Sequence, residues 1–329
     1  MILVTGATGL VGSHLLLKLL EQDEDVVALY RSESKKETTI SFIKDRMLSK
    51  KEIKIIWRKG DICNLPSLEL AFEGITHLYH CAAFISFAHY KQETLMEVNQ
   101  EGTTLLVNLA IKHQLKKIAY ISSIAALGND LNSDFIDEST PWNAELDHTP
   151  YAYSKFGAEL EVWRGTQEGI PAVIINPGVI LGTGVRGNPL ELLCDQIDNR
   201  LRFFPKGTTG YVTVEDVVDV LVHLMNSEIK NERFVLVAAN WSYEQMFKRI
   251  AFLKGKKPPK IALRKSWLQL FNFLEIFLSL FGKRRFMTKA LIGSLCGEKK
   301  IMGTRIEEKT SFRYSEIDKY LVKNVGNPF

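Results

Sequence analysis

A tyrosine and a lysine four residues apart, Tyr151 and Lys155, have the spacing in this chain that most directly indicates chemistry. They stand at the start of a predicted helix over 151–168, so both lie on one helical face. A free tyrosine titrates at ~10, but a nearby ammonium stabilises the phenolate and lowers its pKa. Tyr151 could then exchange a proton with a substrate carbonyl or hydroxyl. The alternative is a helix start with two ordinary surface residues.

Two consecutive serines supply a hydroxyl that could work beside this tyrosine. Ser122 and Ser123 end a predicted strand that begins at Lys117. Ligands of open α/β sheets bind beyond the carboxyl ends of the strands. We therefore expect Ser123 to hydrogen-bond the oxygen of a substrate that faces Tyr151.

A glycine-rich stretch near the N-terminus could hold a nucleotide. Residues 2–12 read Ile-Leu-Val-Thr-Gly-Ala-Thr-Gly-Leu-Val-Gly, an apolar strand that turns through glycines into a helix near Leu10. Gly6 suits a sharp turn, Gly9 lets backbone approach a pyrophosphate, and Gly12 lets the helix pack close to the strand. The positive end of the helix dipole would face the anion. Such turns can also be plain connections, and the flanking strand and helix favour the nucleotide interpretation.

The elements that must position these groups alternate along the first half of the chain. Predicted helices cover about 10–22, 38–49, 65–73, 91–113 and 151–168, and predicted strands are Ile2–Thr5, Val26–Tyr30, Ile53–Trp57, His77–His80, Lys117–Ser122 and Ala172–Asn176. This order predicts an α/β fold with a doubly wound, mainly parallel Rossmann sheet and helices on both faces.

A smaller lobe is predicted beyond Pro177. The later elements are a glycine-rich loop at 182–189, helices at 190–200 and 215–227, and strands at Tyr211–Val214 and Glu232–Val237. We expect a dinucleotide-binding domain over 1–177, to which the chain returns at about 208–239. A mostly helical substrate lobe would then comprise 178–207 and 240–329.

These motifs together resemble the extended (atypical) short-chain dehydrogenase/reductase family, also called the NAD(P)-dependent epimerase/dehydratase family. They follow the family's order and spacing over about the first 180 residues, and the stretch 212–218 extends the match. The matching pieces are Thr5–Gly12, Gly60-Asp61-Ile62, His80-Cys-Ala-Ala83, Val98-Asn99 with Gly102-Thr103, Ser122-Ser123 with Gly128, Tyr151-x-x-x-Lys155 and Asn176-Pro177-Gly178.

The resemblance implies a role for each matching residue. Tyr151 would be the general acid/base, Lys155 would tune it and hold the nicotinamide ribose, and Ser123 would orient the reacting oxygen. Asn99 matches a helix residue that supports the active site in similar enzymes. The implied cofactor-binding residues are Gly6, Thr8, Gly9, Leu10, Val11, Gly12, Arg31, Asp61, Ile62, Ala82, Ala83, Tyr151, Lys155, Pro177 and Val179.

The end of the second strand bears on the choice of cofactor. Family members that prefer NAD place an acid there, whereas this chain has Arg31, with Lys35 and Lys36 close behind. A guanidinium can grip a 2′-phosphate with paired hydrogen bonds, and an acid would repel it. We therefore expect NADPH to be preferred over NAD, the alternative being an Arg31 that points to solvent.

The stretch 175–182 bears on the type of reaction. Many nucleotide-sugar enzymes of the family carry an arginine where this chain has Asn176, and Tyr-Gly-Pro in place of Ile180-Leu-Gly182. The sequence here is more similar to the dihydroflavonol-4-reductase-like branch, which implies reduction of ketones or aldehydes, or oxidation of secondary alcohols. A nucleotide-sugar epimerase or dehydratase is the alternative within the family. A cofactor-sensing protein without activity is a third hypothesis, which the intact Ser123, Tyr151 and Lys155 disfavour.

The segment 266–282 is the least family-like part of the chain. Gln269, Asn272, Glu275 and Ser279 fall along one side of a helix, which leaves a very broad apolar face. Seventeen residues with internal polar groups make a poor membrane span. The segment could cover an apolar substrate pocket, join subunits, or lie in a membrane interface with 283–285 at the headgroups. We favour the cover over an apolar substrate pocket, and we keep a homodimer as an alternative role for the segment.

Composition excludes several other classes of function. The net charge of +4 is dispersed over 42 basic and 38 acidic residues, so a nucleic-acid surface is not indicated. The four cysteines and seven histidines show no metal-binding spacing, so no metal is expected. Because Met1 leads directly into a core strand, we expect no leader peptide and a cytoplasmic protein.

Overall fold

The apolar runs predicted as strands pair side by side in a seven-stranded sheet, every neighbouring pair of which is parallel. This computed structural model describes residues 1–47, 54–128, 133–279 and 285–325. The strand order is β11-β7-β5-β4-β1-β2-β3. The strands are β1 Ile2–Thr5, β2 Val26–Tyr30, β3 Ile55–Lys59, β4 His77–His80, β5 Lys117–Ile121, β6 Phe135–Ile136, β7 Ala172–Pro177, β8 Val179–Leu181, β9 Phe203–Pro205, β10 Thr208–Thr213, β11 Glu232–Leu236, β12 Ala239–Ser242, β13 Ile261–Leu263 and β14 Lys300–Ile301.

Helices follow most strands of this sheet and cover both of its faces. Leu15 and Leu16 of the first helix share a core with Val217 on one face, and Leu106 and Val162 belong to the core on the other. The predicted doubly wound sheet is therefore confirmed. The helices are α1 Leu10–Glu21, α2 Glu33–Arg46, α3 Leu65–Ala71, α4 Gln92–Leu95, α5 Gly102–Lys112, α6 Pro150–Gln167, α7 Pro189–Asp198, α8 Val214–Asn226, α9 Tyr243–Leu253, α10 Lys265–Ser279, α11 Lys289–Cys296, α12 Arg305–Lys309 and α13 Ile317–Val325.

Two predicted helices differ from the observed ones. Helix α2 begins at Glu33, earlier than predicted, because Ser32 with extended backbone starts it before any apolar residue appears. The predicted helix 91–113 consists of a 3₁₀ turn at His89–Lys91, α4, a π-helical stretch at Met96–Glu101, and α5. The predicted residues 48, 49 and 53 lie outside the described part of the chain.

A second, smaller core lies beside the main sheet. Leu190 of α7, Met246 of α9 and Leu321 of α13 are buried together there. The strand β10, expected to return to the main domain, pairs instead with β8 and β12 in a three-stranded sheet. The chain rejoins the main sheet with α8 and β11, because the apolar side of α8 packs on α1 and β5. Within the described residues, no helix is both long enough and apolar enough to cross a membrane.

Candidate active site

The turn from β1 into α1 has no room for side chains at two of its glycines. Gly6 has a positive φ of 65°, and a Cβ there would lie 2.6 Å from the Ala82 backbone nitrogen. A Cβ at Gly12 would lie 2.1 Å from the Gly6 carbonyl oxygen. Helix α1 therefore packs directly on the turn, and the turn lies against the end of β4.

This turn fits the pyrophosphate of a dinucleotide. Gly9 caps α1 with extended backbone, and within the described chain no side chain caps this helix. The N–H groups of Leu10 and Val11 belong to the first helical turn, which has no intrahelical acceptors. Thr8 and Gly9 are partly exposed beside them, while Val11 and Gly12 are buried. The turn thus offers backbone donors at a positive helix end, the arrangement that binds phosphate groups.

Residues at the neighbouring strand ends lie along the same edge of the sheet. Ala82 and Ala83 follow β4, and the Ala82 N–H lies 3.4 Å from the hydroxyl oxygen of Thr5 at the end of β1. Pro177 ends β7, and Val179 begins β8 directly after it. The structure therefore places these predicted cofactor contacts at the carboxyl ends of the strands, where ligands of such sheets bind.

The side chains of Ser123 and Tyr151 lie close enough to act on each other as hydrogen-bond partners. Ser123 follows β5 and is partly exposed, whereas Tyr151 lies in the first turn of α6 and is only 8 % exposed. Thr149 caps this helix and Pro150 begins it, which fixes the direction of its first turn. Burial raises the pKa of Tyr151, and the hydrogen bond from Ser123 offsets part of that rise. The net direction is opposite to the lowering expected from a neighbouring lysine.

Lys155 lies one helical turn after Tyr151 on α6 and is 1 % exposed. Its Nζ donates to Tyr120 Oη at 2.7 Å and to the Ile121 carbonyl oxygen at 2.8 Å. Burial lowers the pKa of Lys155 to about 7, although Glu159 and Cys81 act in the opposite direction. The structure thus brings Ser123, Tyr151 and Lys155 together, with the lysine close to its titration point at neutral pH.

A chain of buried polar groups continues inward from Lys155. Tyr120 is hydrogen-bonded to Thr103, whose hydroxyl donates to the Asn99 carbonyl oxygen. His80 Nε2 lies 2.9 Å from the Thr103 oxygen, and its Nδ1 lies 2.8 Å from the Thr5 hydroxyl. Since Thr103 already donates to Asn99, His80 Nε2 carries the proton and Nδ1 accepts from Thr5. Burial lowers the pKa of His80 to about 3, so this ring stays neutral.

Asn99 lies in the π-helical stretch and holds the loop after β4 against α6. Its Oδ1 accepts from Phe84 N at 2.7 Å, and its Nδ2 donates to Phe84 O at 2.9 Å and to Ser154 Oγ at 2.9 Å. Ser154 precedes Lys155 on α6. Asn99 is 2 % exposed and acts on the site through these neighbours, so the geometry makes it a positioning residue.

A buried carboxylate, Glu159, organises the backbone on the other side of Ser123. Its Oε2 accepts from Ser122 Oγ at 2.6 Å and from Asn176 Nδ2 at 2.8 Å, and its Oε1 pairs with Arg233 at 3.0 Å. Asn176 Nδ2 also donates to the Ser123 carbonyl oxygen at 3.0 Å. One carboxylate therefore fixes both the residue before Ser123 and the amide that holds Ser123 itself.

Arg31 stands at the end of β2 and is ion-paired with Asp61. Its Nη1 lies 3.1 Å from Asp61 Oδ2, and its side chain is 65 % exposed. The pKa of Asp61 is lowered, because its hydrogen bonds from Cys63 and Arg31 outweigh the effect of burial. Ile62 is buried beside Asp61. The structure therefore joins two predicted cofactor contacts in one ion pair at the surface.

Several of these groups were missing from the sequence prediction. Glu159 carried a usable signal, since it lies four residues beyond Lys155 and shares its helical face. His80 and Thr103 stood in the matching motif pieces but were given no role there. Tyr120 carried no signal, because a buried parallel strand has no alternating pattern that separates its two sides. The loop after β4 was also missed, although it brings Phe87 edge-on against Tyr151, with ring centroids 5.7 Å apart.

Comparisons with known proteins agree with this geometry. The chain is 28 % identical over 272 residues to sterol demethylase protein B of Methylococcus capsulatus, covering 79 % of this chain and 76 % of that protein. It is 29 % identical over 269 residues to a putative dihydroflavonol 4-reductase of Synechocystis, covering 78 % and 73 %. The crystal structure of gox2253 superimposes with a TM-score of 0.84 at 26 % identity, covering 98 % of this chain and 96 % of that one.

A family model also matches this chain, over the part that contains the candidate site. Residues 2–237 match the NAD dependent epimerase/dehydratase family, a range that contains the glycine-rich turn, Ser123, Tyr151, Lys155 and the whole parallel sheet. The chain therefore belongs to the NAD dependent epimerase/dehydratase family, whose members bind a nicotinamide dinucleotide.

Proposed function

We propose that this protein is an NADPH-dependent reductase of ketones or aldehydes, or the corresponding alcohol dehydrogenase, acting on substrates of moderate size and partly apolar surface. The observation that carries the proposal is the proximity of Ser123, after β5, to Tyr151 in the first turn of α6, with the buried Lys155 one helical turn further on and bonded to the end of β5. This pair stands at the edge of the sheet that also carries the dinucleotide turn. A substrate oxygen held there would face a hydroxyl, a phenol and a cation.

Each residue of the trio has a distinct task in the reaction. Ser123 would hold the substrate oxygen through its partly exposed hydroxyl. Tyr151 would donate its proton to that oxygen during reduction and take one back during oxidation. Because burial raises its pKa, Tyr151 is a protonated phenol at neutral pH, which suits a proton donor. Lys155 would stabilise the phenolate left after the transfer and hold the ribose of the cofactor.

The dinucleotide, when bound, supplies or accepts the hydride. We assign its pyrophosphate to the turn from Gly6 to Gly12 and its adenine to the neighbourhood of Asp61 and Ile62. Ala82 and Ala83, with Pro177 and Val179, would flank the remainder. The division into a cofactor domain over 1–177, rejoined later in the chain, and a substrate lobe is part of this proposal. So is the preference for NADPH, with Arg31 reaching the 2′-phosphate.

Two observations favour a partly apolar carbonyl substrate over a nucleotide sugar. Phe87 packs against Tyr151 and is 44 % exposed, and Ile85 of the same loop is 65 % exposed. Phe87 therefore places an exposed apolar surface directly beside Tyr151. Asn176 is fully buried in contact with Glu159, so at this position the chain offers no cation to a diphosphate. Relatives named as a sterol demethylase protein and a dihydroflavonol reductase point the same way.

A nucleotide-sugar epimerase or dehydratase is the second candidate, because the matched family is named for those reactions. The two candidates differ in their use of the cofactor. A reductase consumes one NADPH for each product, whereas an epimerase regenerates its cofactor within each turnover.

The test is a parallel assay of aromatic and alicyclic ketones, aldehydes, and UDP- and dTDP-sugars. NADPH absorbance and product chromatography are followed in the same samples. We expect NADPH oxidation equal to the alcohol formed, with apolar carbonyl compounds as the better substrates. An epimerase first oxidises its sugar, so the nucleotide sugars are supplied with NAD⁺. Their conversion without net formation of NADH would overturn the assignment in favour of the epimerase.

A further inference from the structure

Six large apolar side chains in the described part of helix α10 point away from the protein. These side chains are between 38 and 68 % exposed, and they are Trp267, Leu270, Phe271, Phe273, Leu274 and Ile276. Leu268 lies on the opposite side of α10 and is buried. It packs against Met287, which precedes α11, and against Leu291 of α11. Helices α10 and α11 therefore touch along a narrow strip. The apolar side of α10, which was expected to cover a pocket, is exposed along 267–276.

Two polar residues of the same helix, Asn272 and Glu275, face inward. Asn272 is only 6 % exposed, and Glu275 accepts hydrogen bonds from the Phe286 and Met287 N–H groups at 3.0 Å and 2.7 Å. A surface helix of a water-soluble domain has the opposite arrangement, with its polar side towards water. This inverted orientation predicts that the exposed side of α10 contacts an apolar environment outside the protein.

The charge of the residues around α10 indicates the sign of the charge on the surface that this helix would contact. The segment 257–289 contains eight Lys or Arg and one Glu, a net charge of +7. The rest of the chain has 34 basic and 37 acidic residues, a net charge of −3. Arg264 and Lys265 stand exposed where the helix begins, and the sequence Lys-Arg-Arg at 283–285 follows it, of which 283 and 284 lie outside the described residues. In the sequence, basic residues thus both precede and follow the apolar stretch.

We propose that α10 docks this protein on a lipid surface that carries anionic headgroups, lying in the plane of the interface. The apolar side chains would enter the boundary between headgroups and acyl chains, and the flanking cations would contact the headgroups. A second copy of the chain is the poorer occupant, because a two-fold contact through α10 would bring two +7 segments together. Trp267 also suits an interfacial position, where its ring is apolar and its N–H is wet.

The test uses the full chain, sedimented with vesicles of phosphatidylcholine alone or with 30 % phosphatidylserine. The variant F271S/L274S removes two exposed apolar side chains from α10. Its matched control, F252S/L70S, removes the same residue types from sites that are 73 % and 65 % exposed elsewhere. We expect binding to the anionic vesicles to fall at least ~10-fold in the first variant and less than ~2-fold in the control. R264Q/K265Q should weaken binding by roughly 10-fold or more, and added salt should do the same.

Several outcomes would overturn the proposal. They are equal binding to neutral and anionic vesicles, equal loss in F271S/L274S and in its control, and no binding to either vesicle. A dimer in sedimentation velocity that dissociates in F271S/L274S would assign the surface to a second copy instead. Reductase activity on a water-soluble substrate without vesicles should stay within ~2-fold in all variants. That measurement separates failure of the docking proposal from failure of the proposed function.

Discussion

The ammonium of Lys155 lies 2.7 Å from the phenol oxygen of Tyr120, and both groups are buried. Tyr120 in turn interacts with the side chain of Thr103. The Thr103 hydroxyl donates to the Asn99 carbonyl oxygen. The cation beneath the site is thus connected to the helix that carries Asn99.

Cofactor affinity is expected to fall as the pH rises through about 7. Burial lowers the pKa of Lys155 to about 7, so its ammonium is present below that pH and lost above it. If the ammonium holds the ribose, the dissociation constant should rise about 10-fold between pH 6 and pH 8. The measurement is a fluorescence titration with NADH, which lacks a 2′-phosphate that titrates nearby. Lys155→Gln should bind weakly with no such slope, and an unchanged slope in that variant would assign it to another group.

Replacement of Tyr151 by phenylalanine is expected to lower kcat by 10²- to 10⁴-fold, roughly the contribution of a positioned general acid. The ring and its contact with Phe87 remain, so the melting temperature should barely change. Tyr153→Phe is the matched control, because Tyr153 lies on the same helix and is 43 % exposed. Steady-state kinetics should leave the control near wild type. Equal loss in both variants would remove Tyr151 from proton transfer.

Reversal of the charge at Arg31 is expected to reduce the preference for NADPH. Arg31→Asp removes a donor to the 2′-phosphate and places two acids together with Asp61, so KM for NADPH should rise by roughly 10- to 100-fold. KM for NADH should change much less. Lys44→Asp makes the same kind of charge change at an exposed site on α2 and serves as the control. If the KM for NADPH stays at the wild-type value, Arg31 does not contact the 2′-phosphate in the complex.

Loss of the charge on Glu159 is expected to affect both stability and turnover. Glu159→Gln leaves Arg233 without its buried partner, which costs about 3–5 kcal/mol of unfolding free energy when a buried pair is broken. It also weakens the acceptor for Ser122 and Asn176, so kcat should fall through misplacement of Ser123. Urea unfolding and kinetics of E159Q, R233M and E159Q/R233M form a double-mutant cycle. We expect the double variant to lose less stability than the sum of the single ones, and simple additivity would refute the coupling.

Mild acid is expected to destabilise the fold through two buried histidines. Burial lowers the pKa of His80 to about 3 and that of His14 to about 4, whereas an unfolded histidine titrates at ~6.5. The unfolded chain therefore gains protons first, and stability is lost as the pH falls below ~6.5. At pH 5 each histidine should have removed about 2 kcal/mol relative to neutral pH. Urea unfolding at several pH values should show a shallower slope for His80→Gln and a wild-type slope for the exposed His89→Gln.

The sequence predicted the centre of the fold better than its margins. Strands β1, β2 and β4 begin and end where predicted, because each is a short apolar run bounded by turn or polar residues. The start of α2 was missed because Glu33–Lys36 is polar, so the helix begins without an apolar face. The grouping of Ser123, Tyr151 and Lys155 was also predicted, since strand ends and helix starts of one sheet meet at one edge.

The partners of these residues could not be predicted in the same way. The contact between Lys155 and Tyr120 depends on which side of β5 faces α6, and every residue of β5 is buried. The position of Asn99 depends on the π-helical stretch, for which no residue type is a signature. The outward orientation of α10 depends on the choice between two sides of one helix, and the expectation that its apolar side would be covered followed the usual rule.

The π-helical stretch at Met96–Glu101 fits one residue more than an α-helix would into the same length. Deletion of a single amino acid here could therefore leave a regular, well-formed helix and still disable the enzyme. The helices on either side would keep their orientation, whereas residues inside the stretch, Asn99 among them, would turn by up to about 100° around the helix axis. The carboxamide that joins the loop after β4 to α6 would then face the wrong way, although every other residue of the site would still be present.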